Sequence, residues 1–462
     1  MVDMPHADYE SMIGVIEKRL QLKLWPKGTP RVLANSPERI EIVQRIYRLI
    51  SEEAGLIGTC KDNAGQVQTE AEQKLHDVRE QILFVFQLLR APLCSDTHQP
   101  IEVAGHRVKL VASNIRQPDF NWSNTELSKE GKAHEGDLAL AEVTTDSGST
   151  IRIEDYYGRD ERIYRGDRVI VVFGNRRTGT SEFGEIPEEG WNISSDNIVD
   201  LMCHGGIVGC IREIPARMIQ TPTRLKVLGL LQEKGRNLNL CDLFPEWDRK
   251  LKPSAPIIAN LGSGAELGKT TTAAVLIRAL KAQGLIVAAS KMAGTGRYRD
   301  LLELRDAGAD IFLDFPDVGL PSTYTTAERY IPAIRTLINR LNEEAPDVIV
   351  AEFGGDIIEA NIPTFLQHPE FKPLVQAILH SSGDILSMKG SCDYYRKWGF
   401  SPDNIPFYLT YPKGRNNYGS SIRIQEQLNL PAFDNQSDRE ATQVIQNVFN
   451  RISLEKISPP NY

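Results

Sequence analysis

Apolar residues recur along this chain at more than one period, and the places where the period changes mark out its parts. In residues 1–100 the spacing is helical. Val43, Ile46, Tyr47 and Ile50 fall on one face, after Ser36 as an N-cap, Pro37 at the first helical position and Glu38 in the first turn. Gly55 offers a stop. Thr69-Glu70-Ala71-Glu72 has capping-box spacing and leads into a second stripe, Leu75, Val78, Ile82, Phe86 and Leu89, with Pro92 just beyond it. The pattern predicts a helical N-terminal region whose helix pair serves packing or dimerisation. A pair that reads DNA needs a basic face, and neither helix has one.

Between residues 101 and 222 apolar and polar positions alternate instead. RVKLVAS, GDLALAEV, STIRIED and DRVIVVFGN are short β-rich runs separated by Gly, Asp, Ser and Asn. They predict a small β-rich domain, a barrel or a sandwich. Residues 223–252 are rich in charge, run up to KPSAP, and read as a linker. From 253 to 462 strand-sized apolar runs, PIIANLG, LIVAASK, DIFLDF, DVIVAEF, VQAILHSS and IPFYLTY, alternate with helical stretches such as TTTAAVLIRALKAQG and AERYIPAIRTLINRLNEE. That alternation predicts an α/β fold with a mostly parallel sheet flanked by helices.

Composition narrows the function classes. A chain of 462 residues exceeds what one core organises, which agrees with several domains. Its net charge of −8 argues against nucleic acid as a partner, because phosphate backbones attract basic surfaces. No apolar run reaches the length of a membrane span. MVDMPHADYE carries acids where a signal peptide needs a basic flank and an apolar stretch. Six scattered cysteines do not make a disulfide framework. A cytoplasmic protein without membrane or nucleic-acid partners is expected.

The chemistry concentrates after the strand Ile257-Ile258-Ala259-Asn260. GSGAELGKTTT, Gly262 to Thr272, is a glycine-rich loop that opens an amphipathic helix, a P-loop. Glycines let backbone N–H groups turn toward phosphate oxygens, and the helix N-terminus adds a favourable dipole. The nucleotide-binding run is thus Gly262, Ser263, Gly264, Ala265, Glu266, Leu267, Gly268, Lys269, Thr270 and Thr271. Lys269 supplies a cation for the β- and γ-phosphates, and the Thr270 hydroxyl can ligate magnesium. Counting back from Gly268, the usual first glycine falls on Ser263, so Gly262 makes the loop one residue longer.

That longer loop followed by GKTTTA resembles the dethiobiotin synthetase-like branch of the SIMIBI P-loop class. Ala288-Ala289-Ser290-Lys291 leading into MAGTG, and VIVAEF leading into Gly354-Gly355, are similar to that branch as well. AGTGRYRDLLELRDAGADIFLDFPDVGLPSTY and the VFGNR and GGI pieces upstream resemble a group of P-loop proteins of unassigned function that includes D-glutamate N-acetyltransferases. The likeness runs from about Gly136 to Phe433. It implies Glu352 as the acid on the metal side, with Asp314 beside it, and Lys291 as a lysine ending the second strand.

The residues also speak for themselves. Asp314, Asp317 and Glu352 follow apolar strands, at the edge where open α/β sheets hold their ligands. A magnesium-bound triphosphate needs such acids to orient metal waters. Lys291 can meet an acidic substrate or the transferred phosphoryl group, and Arg297 and Arg299 can extend the anion site. Ser322, Thr323 and Tyr324 are candidates for the same cleft, and Asp356 is a second choice to Glu352. CHGGIVGC, Cys203 to Cys210, offers His204 and two cysteines at uneven spacing, which fits small packed cysteines better than a metal site. Lys389, Cys392 and Asp393 follow a strand where a nucleotide base can lie.

The expected function is that of a magnesium- and ATP-dependent P-loop enzyme, a kinase, ligase or ATPase, acting on a small molecule, acidic or not, by phosphoryl transfer or carboxylate activation. The motif serves GTP as well as ATP. Lys269, Lys291 and Glu352 are the expected catalytic residues, and Thr270, Asp314 and Glu352 the metal-side set. Two alternatives stand beside it: a regulatory or switch NTPase whose N-terminal modules bind partners, and an acyl-CoA-dependent N-acyltransferase that uses its P-loop for the coenzyme phosphate. The N-terminal helices make a homodimer an expectation.

Overall fold

The alternating runs of the β region become strands because each can bury one face and share its backbone hydrogen bonds with a neighbour. The computed structural model describes residues 101–459, apart from 118–119, 146–151, 179–181, 195–196, 215–221 and 412–420. The helix pair expected before residue 100 lies outside the described residues. Five strands organise the β region: β1 (Leu138–Val143), β2 (Arg168–Phe173), β3 (Ile198–Leu201), β4 (Ile207–Glu213) and β5 (Arg224–Glu233). β1 runs antiparallel to β2 and β5, β5 to β3, and β3 to β4. β4 then closes parallel onto β2, with Ile207 opposite Val172, so the sheet is a barrel. Ala139, Ala141, Val171, Phe173, Val208 and Val227 fill its interior. The outer faces of β1 and β2, Leu138, Leu140, Ile170 and Val172, are covered in turn by Trp122 and Leu240.

The expected linker needs correction. Residues 224–233 form β5, the longest strand described, in the middle of the barrel sheet. Leu225 and Val227 point inward while Arg224 and Lys226 face solvent. Those outward cations gave the stretch its linker-like charge, but the alternation beneath them is that of a half-buried strand.

Beyond Pro253 the sheet is parallel throughout: β6 (Ile257–Gly262), β7 (Val287–Ala293), β8 (Ile311–Phe312), β9 (Val348–Phe353), β10 (Val375–Ser381), β11 (Phe407–Tyr411) and β12 (Ala432–Asp434). Their spatial order is β8-β7-β9-β6-β10-β11-β12. Helices α1 (Lys269–Lys281), α2 (Tyr298–Asp306) and α5 (Asp438–Phe449) cover one face, and α3 (Ala327–Leu341) and α4 (Ile385–Lys397) the other. Ile257 and Ala259 point to the second face and Ile258 to the first, so the strands carry no polar side. β8 is shorter than DIFLDF suggests, because Asp314 caps a 3₁₀ turn that begins at Phe315-Pro316.

The barrel and the parallel sheet belong to one compact unit, His98–Tyr462. Buried polar groups join them. The Arg116 guanidinium donates to Asp314 at 2.8 Å and lies 4.1 Å from the centre of the Tyr298 ring. Asn175 donates to the Tyr324 carbonyl at 3.0 Å, and the Ser322 hydroxyl donates to the Asn175 carbonyl at 2.7 Å.

Candidate functional site

The loop between β6 and α1 is tied down from behind. The Asn260 side chain donates to the Lys269 carbonyl at 2.6 Å, and the backbone N–H of Ser263 donates to the Ser381 carbonyl at 3.0 Å. Gly268 precedes the helix at φ 80°, a conformation that costs glycine little, and no side chain caps α1. The first N–H groups of α1 are therefore directed at whatever anion enters the loop.

The carboxyl ends of β6, β7 and β9 meet here. The Lys269 ammonium donates to the carbonyls of Gly264 and Gly355, bridging the loop to the turn after β9. The Thr270 hydroxyl donates to Glu352 Oε1 at 3.1 Å. Glu352 Oε2 is buried and has no hydrogen-bond partner among the described residues. On β7, the Lys291 ammonium pairs with Asp300 in the first turn of α2 at 2.5 Å.

Burial sets the electrostatics. It lowers the pKa of Lys269, against the pull of Glu352, and raises that of Glu352, against Lys291 and Lys269. Lys291 is raised: burial opposes its charge, but Asp300 and Glu352 outweigh burial. Asp300 is lowered, because Lys291 outweighs its burial. Lys269 and Glu352 thus carry charges that the protein alone does not fully offset. A triphosphate would compensate the first and a divalent cation the second, and an orphaned carboxylate oxygen beside a hydroxyl is a donor set that suits magnesium. Thr270 and Glu352 would hold that ion.

These groups line a cleft of about 710 Å³, and its second wall is the β region. Arg152, Arg176, Thr223 and His204 face Lys269, Thr270, Lys291 and Glu352 across it. A hairpin built from Arg152–Glu154 and Asp160–Arg162 contributes Arg152 to that wall. Its turn is locked by the Asp155 carboxylate, which accepts from the N–H groups of Tyr157 and Arg159 at 2.9 and 3.0 Å. Glu154 is fully buried and accepts from the N–H groups of Tyr298 and Arg299 at 2.6 and 2.9 Å. α2 has no capping side chain of its own at Arg297, so the β region caps it.

Of the expected nucleotide-binding run, Ala265, Glu266, Gly268, Lys269, Thr270 and Thr271 line the cleft, with Gly262, Ser263, Gly264 and Leu267 forming the rest of the loop. Lys291, Glu352, Arg297 and Tyr324 line it too. Asp314 does not. It is fully buried against Arg116, with burial raising its pKa, and with Asp317 it closes a capping box at the junction. Its place among the expected metal acids reflected its position after an apolar run, where a cap serves equally well. Ser322 and Thr323 hold the junction and the Gly294 turn, Arg299 pairs with Glu303 on the surface, and Asp356 turns its carboxylate to the N–H of Ile358. On α4, Asp393 pairs with exposed Arg396, and Cys392 is buried. Asp300, Arg152, Arg176 and Thr223 carry no sequence signature of their own. Asp300 stood in the first turn of a legible helix, which was the one cue available.

No protein-family model matches this chain, and no curated protein sequence matches it. Several solved structures are similar in part. Chloroplast FtsY from Physcomitrella patens is 17% identical, with 44% of this chain and 69% of that one covered at a TM-score of 0.30. A plasmid partition protein from Borrelia burgdorferi is 14% identical, with 43% and 100% covered at 0.29. The cell division ATPase MinD of Pyrococcus furiosus is 11% identical, with 42% and 99% covered at 0.26. Likeness at that level decides neither function nor substrate; the residues of the cleft have to.

Proposed function

We propose that this protein is a magnesium- and ATP-dependent enzyme that transfers a phosphoryl group to, or activates a carboxylate of, a small molecule held between the P-loop and the β region. The observation that carries this reading is the buried, unpartnered Oε2 of Glu352, set beside Thr270 and Lys269 in a cleft closed on its far side by Arg152 and Arg176. A nucleotide on the P-loop presents its terminal phosphate toward Lys291 and the β wall, where an acidic acceptor meets the arginines. Magnesium, when bound, neutralises charge on the β- and γ-phosphates. The protein's own part is to orient: loop N–H groups and Lys269 hold the phosphates, and Lys291, fixed by Asp300, faces the group in transfer.

Replacing Lys269 tests this directly. Lys269→Ala keeps the fold, checked by circular dichroism, and weakens binding of a fluorescent ATP analogue by about 1.5–3 kcal/mol, the range for hydrogen bonds to charged groups. Unchanged affinity removes the P-loop from the reading. ADP release that depends on an added small molecule is the expected activity. Hydrolysis that responds only to a protein partner points to a switch NTPase, and acetyl-CoA binding competed by ATP points to acyl transfer.

A further inference from the structure

Cys203-His204-Gly205-Gly206 turns back from β3 into β4 and rests on the Gly294-Thr295-Gly296 loop that follows β7. A Cβ on Gly205 would come within 2.4 Å of the Gly296 carbonyl oxygen, so only glycine lets the two loops approach this closely. The turn is held from its other side as well, since the His204 carbonyl accepts from the backbone N–H of Glu154 at 2.7 Å. His204 is thereby fixed in the wall of the cleft, and its ring is fixed too. Nδ1 lies 3.0 Å from Asp160 Oδ1. The other oxygen of Asp160 accepts from Arg297 at 3.0 Å. The Arg297 guanidinium also lies 3.4 Å from Nδ1, but Asp160 is nearer and, as a carboxylate, only accepts; the shorter contact assigns the hydrogen to Nδ1, and a neutral imidazole then keeps its lone pair on Nε2. Among the described residues no hydrogen bond engages Nε2, and no group of His, Cys, Asp and Glu is suited to a metal ion.

We propose that His204 is the general base of this cleft, oriented by Asp160, and that the acceptor is a small molecule bearing a hydroxyl or amine proton. The proposal rests on the nucleotide reading above and narrows it, because a carboxylate attacks phosphorus without losing a proton, whereas a hydroxyl or an amine does not attack so readily. In the step, His204 Nε2 takes the acceptor's proton as the acceptor oxygen or nitrogen bonds to the γ-phosphorus. The bond from that phosphorus to the β–γ bridging oxygen breaks, and ADP leaves with the electron pair. The proton passes from His204 to solvent. Asp160 is a positioning residue: it fixes the tautomer and stabilises the imidazolium, and Arg297 braces it. The other charged groups lining the cleft are Arg152, Arg176, Glu182, Glu266, Lys269, Lys291, Arg297, Asp300 and Glu352, and the buried Glu154 lies behind Arg297 at 3.7 Å.

The experiment uses the full chain with magnesium and ATP and follows, from about pH 5 to 8, the slow basal ADP release in which water stands in for the acceptor. His204→Gln is expected to lower ADP release by about 100-fold or more while the fluorescent ATP analogue binds as in the parent. The acid limb of the parent profile disappears in His204→Gln, and added imidazole restores part of the rate in His204→Ala. Asp160→Asn lowers the rate and alters the same limb without changing nucleotide affinity. An unchanged rate and profile in His204→Gln, with ADP release still dependent on Lys269, overturns this proposal alone. Loss of nucleotide binding in both His204 variants makes the residue structural and overturns it as well. ADP release indifferent to Lys269 overturns the nucleotide reading and this inference with it.

Discussion

One wall of the cleft takes its phosphate-facing groups, from Ala265 to Thr271, from an unbroken run, while the other brings Arg152, Arg176, His204 and Thr223 from separate segments. The P-loop wall is a local solution: a strand, a turn and a helix N-terminus set the geometry within a short stretch of chain. The barrel wall is a product of topology, because only the closure of β4 on β2 and the docking of the hairpin on α2 bring its residues together. On the function proposed above, a site of this build can keep its nucleotide end constant and change its acceptor end by substitution in loops, since loops on a rigid scaffold carry such variation most easily. It also makes the two walls depend on the junction between them.

Separating the walls is the strongest way to break that dependence. Arg116 is 4% exposed and Asp314 fully buried, so Arg116→Ala leaves an uncompensated carboxyl at the junction. Removing one partner of a buried pair costs about 3–5 kcal/mol, and urea unfolding should show a loss of that size. Arg116→Ala combined with Asp314→Asn should recover part of it, because the buried charge has gone. A single variant as stable as the parent would mean that the junction is held by apolar packing and that the ion pair is incidental.

Within the P-loop wall, Glu352→Gln keeps shape and removes the charge beside Thr270. Magnesium-dependent ADP release should fall at least ~100-fold, about 2.7 kcal/mol, on the scale of losing one transition-state electrostatic contact. Nucleotide affinity without magnesium should hold or rise, since an anion facing the triphosphate has been removed. Near-parent turnover would leave Glu352 as a packing residue and the orphaned oxygen without a metal to meet.

The same contrast explains what the sequence made legible. GSGAELGKTTT and the six apolar runs predicted the parallel sheet and its loop because their geometry is local, and Lys269, Thr270 and Glu352 follow from it. Asp314 shows the limit: an acid after an apolar run reads as a metal acid or as a cap, and only Arg116, almost two hundred positions upstream, decides between them. β5 was hidden under its outward cations, Arg224 and Lys226. His204 was visible only as part of a weak cysteine pattern, because Asp160 reaches it through a hairpin and Arg297 from another strand's loop. The helix pair before residue 100 belongs to a stretch whose placement is outside the described residues.

The smallest expected effect concerns Glu154, a buried carboxylate that the β region sets at the N-terminus of α2. It accepts from Tyr298 and Arg299 at the start of α2 and from the Ser113 hydroxyl at 2.5 Å, and the N-cap residue Arg297 provides no side-chain cap of its own. Glu154→Gln keeps one carbonyl acceptor but turns an amide N–H₂ toward N–H donors and removes the negative charge from the helix N-terminus. Cap and dipole losses together come to about 1–2 kcal/mol. Asp300 lies in the same first turn, and it holds Lys291. If the cap sets the position of that turn, the variant should also leave Lys291 more reactive toward an amine-selective reagent, read by peptide mass spectrometry, while Lys269 keeps its nucleotide affinity. A variant that loses stability but leaves Lys291 protected would confine Glu154 to holding the walls together. One that exposes Lys291 would mean that the β region tunes the P-loop wall through α2, so that neither wall is complete without the other.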